Sequence, residues 1–236
     1  MVHLNADVGE GVDNEELLMP FLSACSIACG GHAGDEDSMT KVIALAIKNK
    51  VEIGAHPSYP DTANFGRKTI DISTEELQLS IQSQIRSLEK IVQSFNVDLD
   101  HIKPHGALYN DVAINEKRAT EFLNAIISYK PHTKLFVPYQ SAIATEAKYM
   151  GFKIVYEGFA DRNYNEDLTL VSRKRPDAVI TDLDLIENHV RRMLVDHVVE
   201  TTTGKTPLIK VDTICVHSDT KHSPKILERL NAIFNN

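Results

Sequence analysis

The 236-residue sequence predicts an α/β fold of parallel strands joined by helices, closed into a (β/α) barrel or opened into a doubly wound sheet. Three observations predict it. Strand-like runs alternate with stretches of helical period almost from end to end, about seven times over. Polar residues and glycines gather directly after the strand-like runs. No Pro/Gly/Ser-rich linker, low-complexity segment or short-period repeat interrupts the alternation, so residues 1–236 read as one domain.

The strand-like runs are 2–5, 26–29, 51–55, 101–104, 134–137, 153–156 and 208–216. Leu77, Ile81, Ile85, Leu88, Val92 and Phe95 recur in steps of three and four, which places them on one helix face. Ser73 and Glu76 have the spacing of a capping box at the start of that helix. Asp35 before 36–48 and Asn115 before 116–129 are expected N-caps, and Gly151 after 139–150 an expected C-cap. Residues 155–209 are the least regular and read as an elaboration on the same domain.

Composition excludes several classes. Lys and Arg number 25 against 33 Asp and Glu, a net charge of −8, and without basic runs such a chain binds nucleic acid or anionic membranes poorly. No apolar run approaches the roughly 18 residues of a spanning helix. The N-terminus carries acids where a signal peptide needs a basic and then an apolar stretch. Cys25, Cys29 and Cys215 are odd in number and form no CxxC pair, which fits a reducing compartment. A cytoplasmic protein is expected.

The polar residues after the strand-like runs carry the functional reading, because a (β/α) barrel builds its active site from the loops at the C-terminal ends of its strands. Asn5, Asp7 and Glu10 follow the first run, His32 and Asp35 the second, and His56 the third. Lys103 and His105 follow the fourth, Asp161 and Arg162 the sixth, and His217 and Asp219 the last. Taken singly, Asp7 and Glu10 read as solvated carboxylates, Asp35 as a cap, His32 as a structural histidine and Asp161–Arg162 as a local ion pair. Lys103 is less ordinary, since an ammonium in an apolar run needs a partner or a function. Four of the ten histidines fall at strand ends, and convergence on one face of one sheet favours a site. Cys25 and Cys29 read as core thiols.

Thr202–Pro207 ends like a phosphate-binding loop, but Val199 occupies the position of its first glycine and Pro207 interrupts the helix it should open. HExxH and GxSxG are both absent. Strand-end His, Asp and Glu are donors for a divalent metal, and their spread along the chain leaves that question open.

The blocks LNADVGEG (4–11), IACGGHAGD (27–35), GAHPSYPD with FGR (54–61, 65–67), KPHGALYN (103–110), EGFADRNY (157–164) and CVHSDT (215–220) closely resemble the LamB/YcsF family over nearly the whole chain. The resemblance implies a (β/α) barrel of the glycoside hydrolase/deacetylase type with seven parallel strands. It implies conversion of 5-oxo-L-proline to L-glutamate with ATP hydrolysis, as the A subunit working with 5-oxoprolinase subunits B and C. His3, Gly31 and Ser218 depart from the family pattern, the last two in ways that bear on pocket shape.

Under that reading Asp7 and Glu10 are expected to activate water and His56 or His105 to relay protons. Lys103, Arg162 and Arg173 are expected to hold the substrate carboxylate or a phosphoryl group, with Asn5, His32, Asp161, His217 and Asp219 also binding or orienting the substrate. ATP binding rests on the resemblance alone and falls mainly to the partner subunits. A stand-alone metal-dependent amidohydrolase or deacetylase, and a non-catalytic binding subunit, are the alternatives.

Overall fold

The computed structural model describes residues 2–235. Seven strands, β1 (Leu4–Val8), β2 (Ala24–Ala28), β3 (Glu52–His56), β4 (His101–Ile102), β5 (Lys134–Pro138), β6 (Lys153–Phe159) and β7 (Thr213–Cys215), close in chain order into a parallel barrel, with β7 paired back to β1. Of the two architectures the sequence left open, the barrel is realised. Among the described residues no helix is long and apolar enough to cross a membrane.

The outer layer follows from the helical periods. α1 (Glu15–Leu18) is a single turn; α2 (Glu36–Asn49) starts at Asp35, whose carboxylate accepts from Ser38 N–H while Ser38 Oγ accepts from Asp35 N–H. α3 (Thr74–Ser94) opens on the Ser73/Glu76 capping box and buries Leu77, Ile81, Ile85, Leu88 and Val92 completely. Phe95 lies just past its end and stays partly exposed. α4 (Gly106–Ile114) and α5 (Glu116–Ala125, capped by Asn115) follow β4, and α6 (Ala142–Tyr149) follows β5. Gly151, at φ +78°, takes the left-handed position after α6 that a side chain would resist. α7 (Leu183–Arg191) runs into a π-helical turn, and α8 (Ser223–Phe234) closes the chain.

Strand bounds differ from expectation most in four places: β4 is only His101–Ile102, β6 runs on from 156 to Phe159, and β1 and β7 are shifted or shortened. β1 runs to Val8, so Asn5 and Asp7 lie within the strand and alternate into the barrel. β7 covers only Thr213–Cys215, paired with β6 over all three residues and with β1 at Leu4 and Asn5. Residues 208–209 pair instead with 197–198 inside the long excursion between β6 and β7. The helical run after Asn115 also stops early, at Ala125.

The barrel interior is layered and polar. Near its base Asn5 donates to Thr213 Oγ1 at 2.8 Å, Ser26 Oγ meets His101 Nε2 at 3.1 Å, and the His101 ring stacks on Phe136. Gly54 makes room for that imidazole: a Cβ there would lie 2.2 Å from His101 Nε2. Gly54→Ala is therefore expected to cost about 1–3 kcal/mol through overpacking, read as a lowered urea midpoint with an unchanged slope. An unchanged midpoint would mean that the His101 ring is not confined.

Candidate active site

The floor of the site is one buried ammonium. Lys103, 1% exposed, extends the edge of β4 by donating its backbone N–H to Ala55 O, and Pro104, which has no N–H, ends that pairing. Its Nζ lies 2.8 Å from Asp7 Oδ1, 2.7 Å from Glu157 Oε1 and 3.2 Å from Cys215 Sγ. Burial works against the charged amine, but the Asp7, Cys215 and Glu157 groups outweigh it and hold Lys103 well above its ordinary pKa. Burial likewise works against the Asp7 carboxylate, and His56 and Lys103 overcome it, holding Asp7 well below the usual range. Glu157 is off line for a hydrogen bond from Lys103, and the neighbouring Tyr109 hydroxyl also has no partner among the described residues.

Three imidazoles stand beside this floor. His56, the last residue of β3, donates Nδ1–H to Lys103 O at 2.8 Å. His105 donates Nε2–H to Phe65 O at 3.0 Å, and its loop is held by Ala107 N–H on Gly66 O. Gly106 must be glycine there, since a Cβ would come within 2.7 Å of Gly66 O at a φ of +55°. His32 stacks face to face on His105 at 3.5 Å between centroids and donates Nε2–H to Glu10 Oε1 at 3.0 Å. Burial lowers the His32 pKa to about 4 and lowers that of His105. The Glu10 carboxyl, despite burial, is held well below its ordinary value by His105 and His32. Ligand atoms of Glu10, His56 and His105 lie within 4.8 Å of one another, the arrangement a metal ion needs.

On the β6–β7 side, His217 Nδ1–H donates to Asp161 Oδ1 at 2.9 Å, and the ring stacks on Phe159. Asp161 is fully buried and also accepts from the Thr220 hydroxyl; His217 and Thr220 hold it below the usual carboxylate range against the effect of burial. This pairing leaves His217 Nε2 as a lone pair on the cavity side. Arg162 is buried, donates only to the carbonyls of Ala178 and Val171, and has no carboxylate partner among the described residues. Burial and the neighbouring Arg173 push its pKa down to about 10. At the mouth Asp219 accepts from Arg67 at 2.6 Å and from Arg173 at 3.2 Å, tying three loops together.

These groups surround one cavity of about 1100 Å³. Asp7, Glu10, His56, Lys103, His105, Arg162, Arg173 and His217 all line it. Asn5, His32 and Asp161 stand one layer back, bonded to Thr213, Glu10 and His217, and Asp219 stands at the mouth. Asp7 and Glu10, expected to activate water, both reach the cavity and are both held in the ionised form. Of the histidines away from the strand ends, His101 lies in the barrel base and His3 bonds Thr213 below it.

Sequence reasoning missed Glu157 and Tyr109, both cavity-lining. Glu157 directly follows the strand-like run 153–156, so the strand-end criterion that marked Asp7 and His56 could have found it. The departures at His3, Gly31 and Ser218 lie off the cavity, whereas the segment 166–169, which lacks the glycine common in the family before 170–173, lines it through Asp167, Leu168 and Thr169. Gly31 faces Gln84 and Ser58, with a Cβ meeting Gln84 Oε1 at 2.3 Å, and Gln84 is hydrogen-bonded to both backbone groups of Ser58. Ser218 is buried beside Asn14 and Ser223, which bond its carbonyl. Thr202–Gly204 form a turn with no helix after it, and Lys205 pairs with Glu166, so no phosphate loop exists there.

Comparison with known proteins covers the whole barrel. The LamB/YcsF family matches residues 2–236. The chain is 40% identical over 241 residues to the A subunit of 5-oxoprolinase from Pyrococcus abyssi, covering 96% of this chain and 94% of that one. It is 39% identical to the corresponding 5-oxoprolinase A subunit of Alkaliphilus metalliredigens, covering 97% and 91%. The solved lactam utilization protein of Thermus thermophilus superposes with a TM-score of 0.90 at 29% identity, covering 99% and 96%.

Acid sensitivity follows from the buried rings. Burial holds His32 and His189 down to about 4, and His189 Nε2 has no partner among the described residues. Between about 6.5 and about 4 the unfolded chain binds these protons and the native chain does not, so stability rises with pH across that window. Urea midpoints are expected to fall on acidification through it, and His189→Gln to flatten the dependence by one proton. A midpoint that rises on acidification would contradict the assignment.

Proposed function

The chain belongs to the LamB/YcsF family, and on that premise we propose that it is the A subunit of a 5-oxoprolinase, opening the ring amide of 5-oxo-L-proline to L-glutamate with ATP hydrolysis in company with subunits B and C. The observation that carries this reading is similarity over at least 96% of the chain to relatives named as the A subunit of 5-oxoprolinase. The cavity chemistry suits it. Water oxygen must bond to the lactam carbonyl carbon, the ring C–N bond must break, and the freed nitrogen must gain a proton.

Arg162, buried and without a carboxylate of its own, receives the substrate carboxylate. Lys103 supplies positive charge where the amide oxygen gains electron density. His217, its tautomer set by Asp161, takes the proton from water and returns it to the departing nitrogen. Asp7 balances and positions Lys103. Phosphorylation of the amide oxygen would ease the attack, and nucleotide handling is assigned to the partner subunits, consistent with the missing phosphate loop.

The test is glutamate release from 5-oxoproline with ATP by this chain alone, by subunits B and C alone, and by all three. Product only from the complete mixture is expected. Lys103→Met and His217→Gln in that mixture should each lower kcat by about 10²-fold or more, whereas Arg162→Gln should chiefly raise KM. Full turnover in all three variants would leave the chain as a binding subunit. Turnover of amide substrates without B and C would favour a stand-alone metal-dependent amidohydrolase, a second reading that the Glu10, His56 and His105 cluster supports.

A further inference from the structure

The hydrogen bonds around His56 and His105 set an unusual condition. A backbone carbonyl only accepts, so the ring nitrogens facing Lys103 O and Phe65 O both carry hydrogen: Nδ1 in His56 and Nε2 in His105. In the neutral rings, His56 Nε2 and His105 Nδ1 are then both lone pairs, and these two atoms face each other at 3.0 Å. Glu10 Oε1, another acceptor, lies 3.2 Å from His105 Nδ1 and 3.8 Å from His56 Nε2. Asp7 Oδ2 stands 3.4 Å from His56 Nε2. Four acceptor atoms therefore converge with no donor among them, and such an arrangement is stable only with a cation or an added proton between them.

A single added proton satisfies the cluster poorly. It can bridge the two nitrogens but offers nothing to Asp7 Oδ2, and it places an imidazolium in face-to-face contact with the His32 ring. A metal ion satisfies all the acceptors at once. Bonds of about 2.0–2.1 Å from two imidazole nitrogens and a carboxylate oxygen put the ligand atoms roughly 3–4 Å from one another, as they are here. The supporting shell is also built. Each ligand ring is oriented by its outer N–H on a backbone carbonyl, and His32 donates to the ligand carboxylate. The charge balance points the same way, since Asp7 and Glu157 share the one ammonium of Lys103 and Glu10 has only imidazoles beside it.

We propose that Glu10, His56 and His105 bind one divalent first-row transition cation of the zinc type, with Asp7 alongside and an open side toward the cavity. Two imidazoles and a carboxylate favour such a metal over Mg²⁺ or Ca²⁺, which prefer all-oxygen sets. Bound there, the ion supplies Lewis acidity beside Lys103. The proposal does not depend on the substrate, and it is read without turnover.

The purified chain, stripped with chelator and shown by circular dichroism to be folded, is titrated with Zn²⁺ and separately with Co²⁺ by calorimetry and visible absorption. One equivalent is expected, with a Co²⁺ spectrum lacking the intense charge-transfer band of thiolate ligation and with a raised Tm. His56→Ala, His105→Gln and Glu10→Gln should each weaken binding by at least about tenfold, while Cys29→Ser should keep the full equivalent. A folded wild-type chain that takes up no metal would overturn the proposal and leave a shared proton in the cluster. Undiminished binding in both histidine variants would overturn it as well, by placing the metal elsewhere. Either failure leaves lactam turnover as a separate question, and loss of turnover alone leaves the binding stoichiometry untouched.

Discussion

The Lys103 ammonium is the constraint on which the barrel interior depends. An ammonium that is 1% exposed cannot remain charged without partners, and its partners come from distant parts of the chain: Asp7 on β1, Glu157 on β6 and Cys215 on β7. These strands meet only when the barrel closes. The polar floor is therefore coupled to closure itself, and removing Lys103 would leave Asp7 and Glu157 as uncompensated buried charge. Phe159 adds an aromatic face 5.3 Å from the same ammonium.

From that floor the site divides into two halves with different electrostatics. The half built on the first four strands is rich in acceptors: two carboxylates and three imidazoles whose outward N–H groups are already committed to backbone carbonyls or to Glu10. The half built by β6, β7 and the long excursion between them supplies one oriented imidazole and an unpaired guanidinium. A ligand in the cavity would thus meet Lewis-acidic or proton-bridged chemistry on one side and a proton carrier with an anion receptor on the other. At the mouth Asp219 draws Arg67 and Arg173 together.

The departures at Gly31 and Ser218 act on the layer behind the cavity. At Gly31 the space a side chain would take is filled by Gln84 from α3, whose amide pins Ser58 on both its N–H and its C=O. The loop after β3 is thereby held by a helix residue. His3 sits at the opposite end of the barrel, bonded to Thr213 Oγ1. The cavity lining joins residues of the family blocks with others from the loops after β5 and β6, and Gly31 and Ser218 alter how the block residues are supported.

Much of this protein was legible in its sequence because strand alternation, helical period and capping are local properties. The seven strand positions, the Ser73/Glu76 and Asp35 caps, and the placement of chemistry at strand ends all follow from neighbours a few residues apart. The family blocks, read together, carried the barrel and the membership. What the chain alone did not decide are facts about distance between strands. That Asp7 lies inside β1, that Glu157 is a partner of Lys103, and that Asp161 supports His217 rather than pairing with Arg162 are settled by register and closure. The tautomers of His56 and His105 belong to the same class. They depend on which carbonyl each ring meets, and those carbonyls lie 47 and 40 residues away in the chain, brought within reach only by the fold.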